Sequence, residues 1–468
     1  MIQNNYFHTT DLEKLSDYDL QMIEQYQDEI EDDTLTIDDK QLQNFEFIRA
    51  LNISRLELYC CNNMIPKIKS QTVKELYIYN QNLNSLGEIY FDNLEVLELQ
   101  NTKNLESQTL AQEINRFQKL KDISLVGWNI DLRQLSQMSQ LTKLSMNRCE
   151  LRSAEALAHL VGLSELSLDA NPGIDITALQ HLVKLTKLSL VRCKLKNLES
   201  LHHLINLNEL RLNRNENLDI SSLKYLTNLT KLEIDECGLI NLDEIEPLFN
   251  LAELSLSFNY GINIASFAHL SQLTKLQLNS CDLKSVDAIR SLTNLVELQL
   301  YVNKGIDITA LQYLTKLNKL QLENCNLVSL DVLRSLIQLQ ELHIQENAVI
   351  YLEPLMELKQ LSLLEAENNK IVDSKTFQMH PNFQNFELGN QQEPTENQLK
   401  YANIMRDINS QVTSLKLIQY QSKTLKQKHA EFRQNIIKYE QNMFDDQQQF
   451  AAQIAGLFQL LDKFDVCQ

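Results

Sequence analysis

Leu163-Ser-Glu-Leu-Ser-Leu-Asp-Ala-Asn171-Pro-Gly-Ile-Asp-Ile-Thr-Ala-Leu179-Gln-His-Leu182-Val-Lys184 is followed at once by Leu185-Thr-Lys-Leu-Ser-Leu-Val-Arg-Cys193-Lys-Leu-Lys-Asn-Leu198-Glu-Ser-Leu201-His-His-Leu204-Ile-Asn206. The two stretches share one phrase, Leu-x-x-Leu-x-Leu-x-x-(Asn or Cys), set 22 residues apart. Its leading position recurs without a slip at Leu141, Leu163, Leu185, Leu207, Leu229, Leu251, Leu273, Leu295, Leu317, Leu339, Leu361 and Phe383. Take that residue as position 1. Positions 1, 4 and 6 are apolar while 5 and 7 are polar, the alternation of a half-buried strand. Apolar residues return at positions 14, 17 and 20, as in Leu198, Leu201 and Leu204. Three-residue spacing fits a short helical or 3₁₀ return.

One such unit cannot bury its apolar face alone, whereas a stack of neighbours buries it continuously. A fixed period of this length on this phrase predicts a leucine-rich repeat. The expected fold is an α/β solenoid, a leucine-rich repeat horseshoe with a parallel concave sheet and a short helical or 3₁₀ convex side. About 16–17 repeats fit between residues 32 and 390.

Two alternations run along the regular repeats. Position 9 reads Cys149, Asn171, Cys193, Asn215, Cys237, Asn259, Cys281, Asn303, Cys325, Asn347, Asn369, so the duplicated unit is a pair of 44 residues. Asn can bond turning backbone through both amide groups, whereas Cys is a small filler with a weak donor. The Cys repeats place Leu at position 11 (Leu195, Leu239, Leu283, Leu327), while most Asn repeats place Gly or Asn there. Position 3 alternates Lys143, Glu165, Lys187, Glu209 and onward to Lys319 and Glu341. Strands about 4.8 Å apart then set opposite charges side by side, which fixes register more than it adds stability.

Of 468 residues, 62 are acidic and 43 are Lys or Arg, a net charge of −19. That argues against nucleic acid and anionic membrane surfaces as partners. The five cysteines from Cys149 to Cys325 stand 44 residues apart. Two repeats between neighbours put them roughly 10 Å apart, too far to bridge. They are expected as free, buried ladder residues in a reducing compartment, with Cys61 at the same position of an early repeat and Cys60 and Cys467 unassigned. The opening Met1-Ile-Gln-Asn-Asn-Tyr-Phe-His carries neither a basic n-region nor an apolar h-region, so the expectation is a cytoplasmic protein, with the nucleus open.

In chain order, residues 1–31 form an acidic N-terminal cap with a helix over 10–31. Asp17 or Asp19 would cap that helix, and Leu20, Ile23, Tyr26 and Ile30 would make its apolar face. An acidic docking segment is the alternative reading. Irregular strands follow at Leu35–Ile37, Ile53–Leu58, Val73–Ile78, Leu94–Leu99 and Leu120–Leu125. An insert bearing Leu105, Leu110, Ile114 and Phe117 is expected as a convex helix, and Trp128 as core at position 9. The stack is expected to end at Phe383-x-x-Phe386-x-Leu388, which lacks the next Asn, with a linker over Gly389–Pro394. Residues 395–465 then carry a heptad frame that includes Ile404, Ile408, Leu415, Ile418, Phe432, Ile436, Leu457 and Leu460. That frame, opened by a Thr395/Gln398 capping box, predicts a coiled-coil helix. A homodimer, a heteromeric partner and a folded-back hairpin all remain open for it.

No phosphate-cradling Gly loop, Cys-x-x-Cys pair or nucleophile–base motif is present, so no enzyme activity, cofactor or catalytic residue is assigned. His159, His181, His203 and His269 share position 19. Duplication of a surface residue accounts for that column, and no metal site is assigned. The surface free to recognise a protein is the concave face at positions 5, 7 and 8. There Arg148, Arg192, Arg211 and Arg214 give way to Glu233, Asp235 and Glu236. Phe258, Tyr301 and Val302 follow, then Glu323, His343, Glu346, Glu365 and Glu367. Aromatics beside Arg are the composition of binding hot spots.

The phrase continued as Asn171-Pro-Gly-Ile-Asp-Ile-x-x-Leu179-x-x-Leu182 closely resembles two families of one repeat class. These are the internalins, which are bacterial surface adhesins, and the leucine-rich-repeat regulatory subunit of type-1 protein phosphatase. The resemblance covers residues 32–390. Internalins carry a signal peptide that this N-terminus lacks; the phosphatase subunit binds by its concave face but has no heptad tail. The resemblance implies a non-enzymatic protein-binding scaffold, with a phosphatase regulator or an exported adhesin as alternatives.

Overall fold

The computed structural model describes residues 16–38, 45–59, 67–79, 86, 89–106, 108–129, 132–396, 399–400 and 403. Cys60, Cys61, Cys467, Gln398 and the heptad frame from Ile404 onward lie outside the described residues. The chain divides into two compact units, residues 1–237 and 238–468. Each is a leucine-rich repeat solenoid of short parallel strands on one side and 3₁₀ turns on the other. In the first unit Glu165, Leu166 and Ser167 sit opposite Lys187, Leu188 and Ser189. In the second, Lys275, Leu276 and Gln277 sit opposite Glu297, Leu298 and Gln299. Register therefore follows the 22-residue frame without offset. Leucines at positions 1, 4, 6, 14, 17 and 20 close the core, and Leu185, Leu188, Leu190, Leu198, Leu201 and Leu204 are all buried. The position-3 charges meet as expected, with Lys143 and Lys187 both on Glu165 at 3.2 and 3.5 Å, and Lys319 on Glu341 at 2.7 Å. These groups are a third to a half exposed, so each pair adds only ~0.2–1 kcal/mol.

The N-terminal helix is shorter than the sequence reading, covering Asp17–Tyr26. Ser16 caps it, not Asp17 or Asp19. Asp19 completes a capping box by accepting from the Ser16 backbone at 3.0 Å. Its buried face is Met22, Ile23 and Tyr26, while Leu20 points outward. Residues Ile30–Glu31, expected inside the helix, instead form a strand antiparallel to Thr34–Ile37. Tyr26 stacks on Phe47 at 5.7 Å and ties the helix to the first full repeat. The insert holds a helix at Gln108–Asn115 with Leu110 and Ile114 buried. Leu105 is not part of it: the strand Val96–Glu106 runs on and pairs Leu105 with Trp128.

Position 9 is where one repeat holds the next. Asn303 donates to the carbonyls of Leu278 and Leu300, both at 2.8 Å. Its oxygen accepts the amides of Cys281 at 3.1 Å and Leu283 at 3.0 Å. Asn171 and Asn215 make the same bonds in the first unit. Cysteine keeps only the donor half. The Cys193 thiol donates to Leu168 O at 3.2 Å and the Cys325 thiol to Leu300 O at 3.2 Å. Trp128 does the same with its indole N–H, which reaches Leu99 O at 3.2 Å from a fully buried ring.

Losing the acceptor half has a consequence one repeat earlier, and it explains the paired duplication. A position-11 amide that faces a following Asn bonds its side-chain oxygen, as Leu327 does to Asn347 at 2.9 Å. A position-11 amide that faces a following Cys must find a backbone carbonyl. Gly305 bonds Cys325 O at 2.9 Å and Gly173 bonds Cys193 O at 2.7 Å. Reaching it takes left-handed backbone at position 11, at Gly173, Asn217, Gly261 and Gly305. That conformation favours Gly and Asn. The Cys repeats put it one residue earlier, at Glu150, Lys194, Gly238, Asp282 and Asn326.

The stack also runs further than expected at its end. Gln391 stands at position 9 of the last repeat. It donates to Ala366 O at 3.1 Å and to Leu388 O, and it accepts the amide of Ile371 at 3.1 Å. Gly389–Gln392 is thus repeat, not linker. Tyr351 then bonds Asn403 at 2.9 Å, holding the start of the tail against the repeats.

Two outcomes follow for stability. Asn303→Ala strands the Leu278 carbonyl and two amides in a dry turn, while Leu300 O keeps the Cys325 thiol. At ~1–3 kcal/mol per buried unpaired group, urea unfolding will show a loss of roughly 3–6 kcal/mol. Cys325→Asn restores the consensus residue yet will also destabilise, because Gly305 is already committed to the backbone carbonyl. A neutral or stabilising Cys325→Asn contradicts the pairing rule.

The thiols give a pH prediction. Burial pushes Cys149, Cys193 and Cys237 up to about 11 and Cys325 up to about 12. The folded state thus holds the proton longer than the unfolded chain does. Stability from these groups is complete below about pH 9 and is lost as pH rises through about 11, by roughly 3 kcal/mol per thiol at full ionisation. Urea midpoints measured from pH 8 to 11 will fall, and Cys193→Ala will flatten the fall.

Candidate protein-binding face

Positions 2, 3, 5, 7 and 8 make the open face of each sheet. Position 8 carries a constraint that the strand pattern hides. It is left-handed in each repeat from Leu141 to Leu361, at Arg148, Ala170, Arg192, Arg214, Glu236, Phe258, Ser280, Val302, Asn324, Glu346 and Asn368. The chain turns inward there, and most of these side chains are exposed, whereas Ser280 is buried. Asn324 and Asn368 are what the backbone itself favours.

In the first unit, the charges read as a basic patch followed by an acidic one are brought together. Arg211 bonds Glu209 at 2.9 Å and approaches Glu233 at 3.6 Å. Arg214 pairs with Glu236 at 2.8 Å. Lys231 also reaches Glu233 at 3.4 Å. Asp235 lies beside them and its amide bonds Asn213 at 2.9 Å. Arg148 and Arg192 are exposed and form no ion pair among the described residues. Between them the face is spent on itself: Asn147 accepts from Ser167 and from the Asp169 amide, both at 2.8 Å. Asp169 in turn accepts from Ser189 at 2.6 Å and the Val191 amide at 2.8 Å.

The sequence reading missed an aromatic cluster on the same unit. Applying the repeat frame to the irregular strands Arg55–Tyr59 and Glu75–Tyr79 puts Glu57 and Tyr77 at position 5 and Tyr59 and Tyr79 at position 7. Tyr59 stacks on Tyr79 at 4.6 Å, and the Arg55 guanidinium lies 4.1 Å from the Tyr77 ring. Arg55 also pairs with Glu57 at 2.7 Å. Burial, with Glu75 beside Tyr77 and Glu98 beside Tyr79, pushes both phenols up to about 12. They remain protonated donors across the physiological range. The signal was present as Tyr-x-Tyr in Glu75-Leu-Tyr-Ile-Tyr79, but it was masked by irregular repeat lengths.

In the second unit Phe258 and Val302 are each 37% exposed although apolar, at φ of 63° and 59°. Val is β-branched and Phe bulky, and such residues seldom adopt left-handed backbone. Holding them there costs about 1–2 kcal/mol each. Tyr301, half-buried, sits next to Val302 and its amide bonds Asn279 at 3.2 Å. Further along, His343 is 8% exposed and its Nδ1 meets Glu365 Oε2 at 2.7 Å. Gln345 donates to the same oxygen. Burial alone would raise the Glu365 carboxyl, but the bonds from His343 and Gln345 outweigh it and hold it below its ordinary range. Burial raises the Glu323 carboxyl, with Glu365 adding to the effect against His343.

Elsewhere, His202 and His203 rings lie 3.7 Å apart and His269 is 3.3 Å from Glu246. No group of three His, Cys, Asp or Glu side chains able to hold a metal occurs among the described residues. No described helix is long and apolar enough to cross a membrane.

No family model matches the chain, and no curated protein matches its sequence. Solved structures do. An internalin (inlF) of Listeria monocytogenes is similar with a TM-score of 0.55 and 25% identity, covering 61% of this chain and 85% of that one. The leucine-rich-repeat protein LIC12759 of Leptospira interrogans is similar with a TM-score of 0.51 and 24% identity, covering 66% and 87%. The stack that the 22-residue frame builds here is the one these structures share, and the chain is a leucine-rich repeat protein.

Proposed function

We propose that the chain is a non-enzymatic scaffold that binds a protein on the open face of its sheet, with residues 395–465 serving self-association or a second partner. The observation that carries this reading is the strain at Phe258 and Val302. A turn that favours Asn holds two apolar side chains, each 37% exposed, at a cost in stability. Strain retained against the fold's own preference marks a functional position, and exposed apolar side chains are what a partner's surface removes from water. The aromatic cluster Tyr59–Tyr77–Tyr79 with Arg55 is a second surface of hot-spot composition on the first unit. The free, buried thiols Cys149, Cys193, Cys237, Cys281 and Cys325 favour a reducing compartment, and we place the protein in the cell interior.

Affinity capture from source-cell lysate tests the face directly. The baits are the full chain, residues 1–394, and the full chain with Phe258→Asp and Tyr301→Asp. A partner kept by 1–394 and lost from the double variant is expected. If every partner follows residues 395–468 instead, the face is not the site. The identity of that partner separates a general scaffold from a phosphatase regulator, and localising the endogenous protein tests the compartment.

The strain argument has its own test. Val302→Asn relieves left-handed β-branched backbone, so it will stabilise the protein by about 1 kcal/mol while weakening partner capture. A destabilised Val302→Asn protein, or unchanged capture, removes the observation on which the reading stands.

A further inference from the structure

One cluster on the open face of the second unit is left with hydrogen-bonding capacity that the protein does not use. Strand Glu341–His343 lies between Lys319–Gln321 and Leu363–Glu365, which sets Glu323, His343, Gln345 and Glu365 side by side. Glu365 accepts from both His343 Nδ1 and Gln345 Nε2. A carboxylate held below its ordinary range is a pure acceptor, so Nδ1 carries the ring proton when the imidazole is neutral. His343 Nε2 is then an acceptor. It is buried and has no partner, and so are Gln345 Oε1 and Glu323 Oε2. With the imidazole neutral and Glu323 ionised, all three atoms are acceptors, from three neighbouring side chains. Another acceptor or an apolar group brought here would leave them unpaired. Only a group made of donors satisfies them.

The surrounding charge selects which donor. Glu323, Glu346, Glu365 and Glu367 crowd this part of the face, while Lys319 is committed to Glu341 at 2.7 Å. Gln345, half-buried and with its carbonyl oxygen unbonded, is the side chain that turns aside to admit a ligand. We propose that this cluster seats a cationic N–H group, the ammonium of a lysine or the guanidinium of an arginine, presented by the protein partner. The proposal rests on the open-face reading and adds the chemistry that the partner must bring. An ammonium offers three donors and a guanidinium five, and neither has an acceptor.

The test uses the full-length protein labelled with ¹⁵N in histidine, at pH 8, where the ring ¹⁵N signals themselves show which nitrogen carries the proton. The ring nitrogens of His343 are assigned by the signals missing from His343→Gln. n-Butylammonium, n-butylguanidinium and tetramethylammonium are titrated at constant ionic strength. The expected result is a saturable shift of His343 Nε2 with one or both N–H cations and none with tetramethylammonium, which has charge but no donor. Which N–H cation binds more tightly tells lysine from arginine. Glu323→Gln will weaken the interaction about tenfold, the loss of one charge-assisted bond, whereas Asp243→Asn with Asp287→Asn, exposed on the turns of the same unit, will leave it unchanged. Equal shifts from all three cations, no shift, or an unaltered Glu323→Gln protein overturns the proposal. Should the cations bind while capture survives Phe258→Asp and Tyr301→Asp, the open-face reading fails and the cation seat stands. Should capture be lost while the cations leave His343 unmoved, only the cation seat fails.

Discussion

Every repeat must turn its chain inward after the strand, and the backbone groups exposed by that turn are shut away from water. A buried amide or carbonyl without a partner costs as much as a stabilising contact contributes. Position 9 answers this with a side chain that bonds the carbonyl at position 6 of the preceding repeat. Asn, Cys, Trp128 and Gln391 all do so, with quite different chemistry. Only Asn and Gln also supply the acceptor. Where Cys stands instead, the preceding repeat moves its left-handed residue to position 11 and takes a backbone carbonyl. The alternation of residues is thus an alternation of turn geometry. Where Cys and Asn alternate, the 44-residue pair is the unit that carries both turn geometries together.

The same turn shapes the proposed binding surface. It puts position 8 in left-handed backbone at the rim of the open face in repeat after repeat. Residue choice there varies widely, from Ala170 and the buried Ser280 to the exposed Arg192 and Glu346. Asn fits the backbone; Arg, Glu, Phe and Val do not fit it better. Their presence is best read as what the face presents, and the apolar pair Phe258 and Val302 is the costliest choice. Much of the remaining face is internally bonded, as between Asn147, Ser167 and Asp169. The recognition proposed for this face then rests on a few positions rather than on the whole sheet.

Much of this was legible in the sequence. The unbroken frame from Leu141 to Phe383 fixes strand, register and core, because one slip would turn every leucine outward. The position-3 ladder was readable for the same reason. What escaped were features set by atoms rather than by periodicity. Gln391 looks like a linker residue until its amide is found doing the work of Asn. Leu105 has the spacing of a helix face, yet the strand continues through it. Ser16 outcompetes two aspartates as cap because its hydroxyl and Asp19 bond reciprocally. On the face, position 8 was read as a strand residue, so its strain was invisible. The charges of Arg211, Arg214, Glu233 and Glu236 were read as patches, although one strand's spacing lets them neutralise each other. The tyrosines at 59, 77 and 79 stand in repeats of irregular length, which hides their shared place on the face.

The most direct measurement is site-specific photocrosslinking within the second unit. Phe258, on the rim of the open face, and Tyr313, exposed on the 3₁₀ turn Thr309–Tyr313, are each replaced by benzoylphenylalanine in the full chain and irradiated in lysate. The account predicts one discrete adduct from position 258 and none of that mass from position 313. Adducts from position 313 alone would show that the partner rides on the turns and that the open face is not where this protein binds.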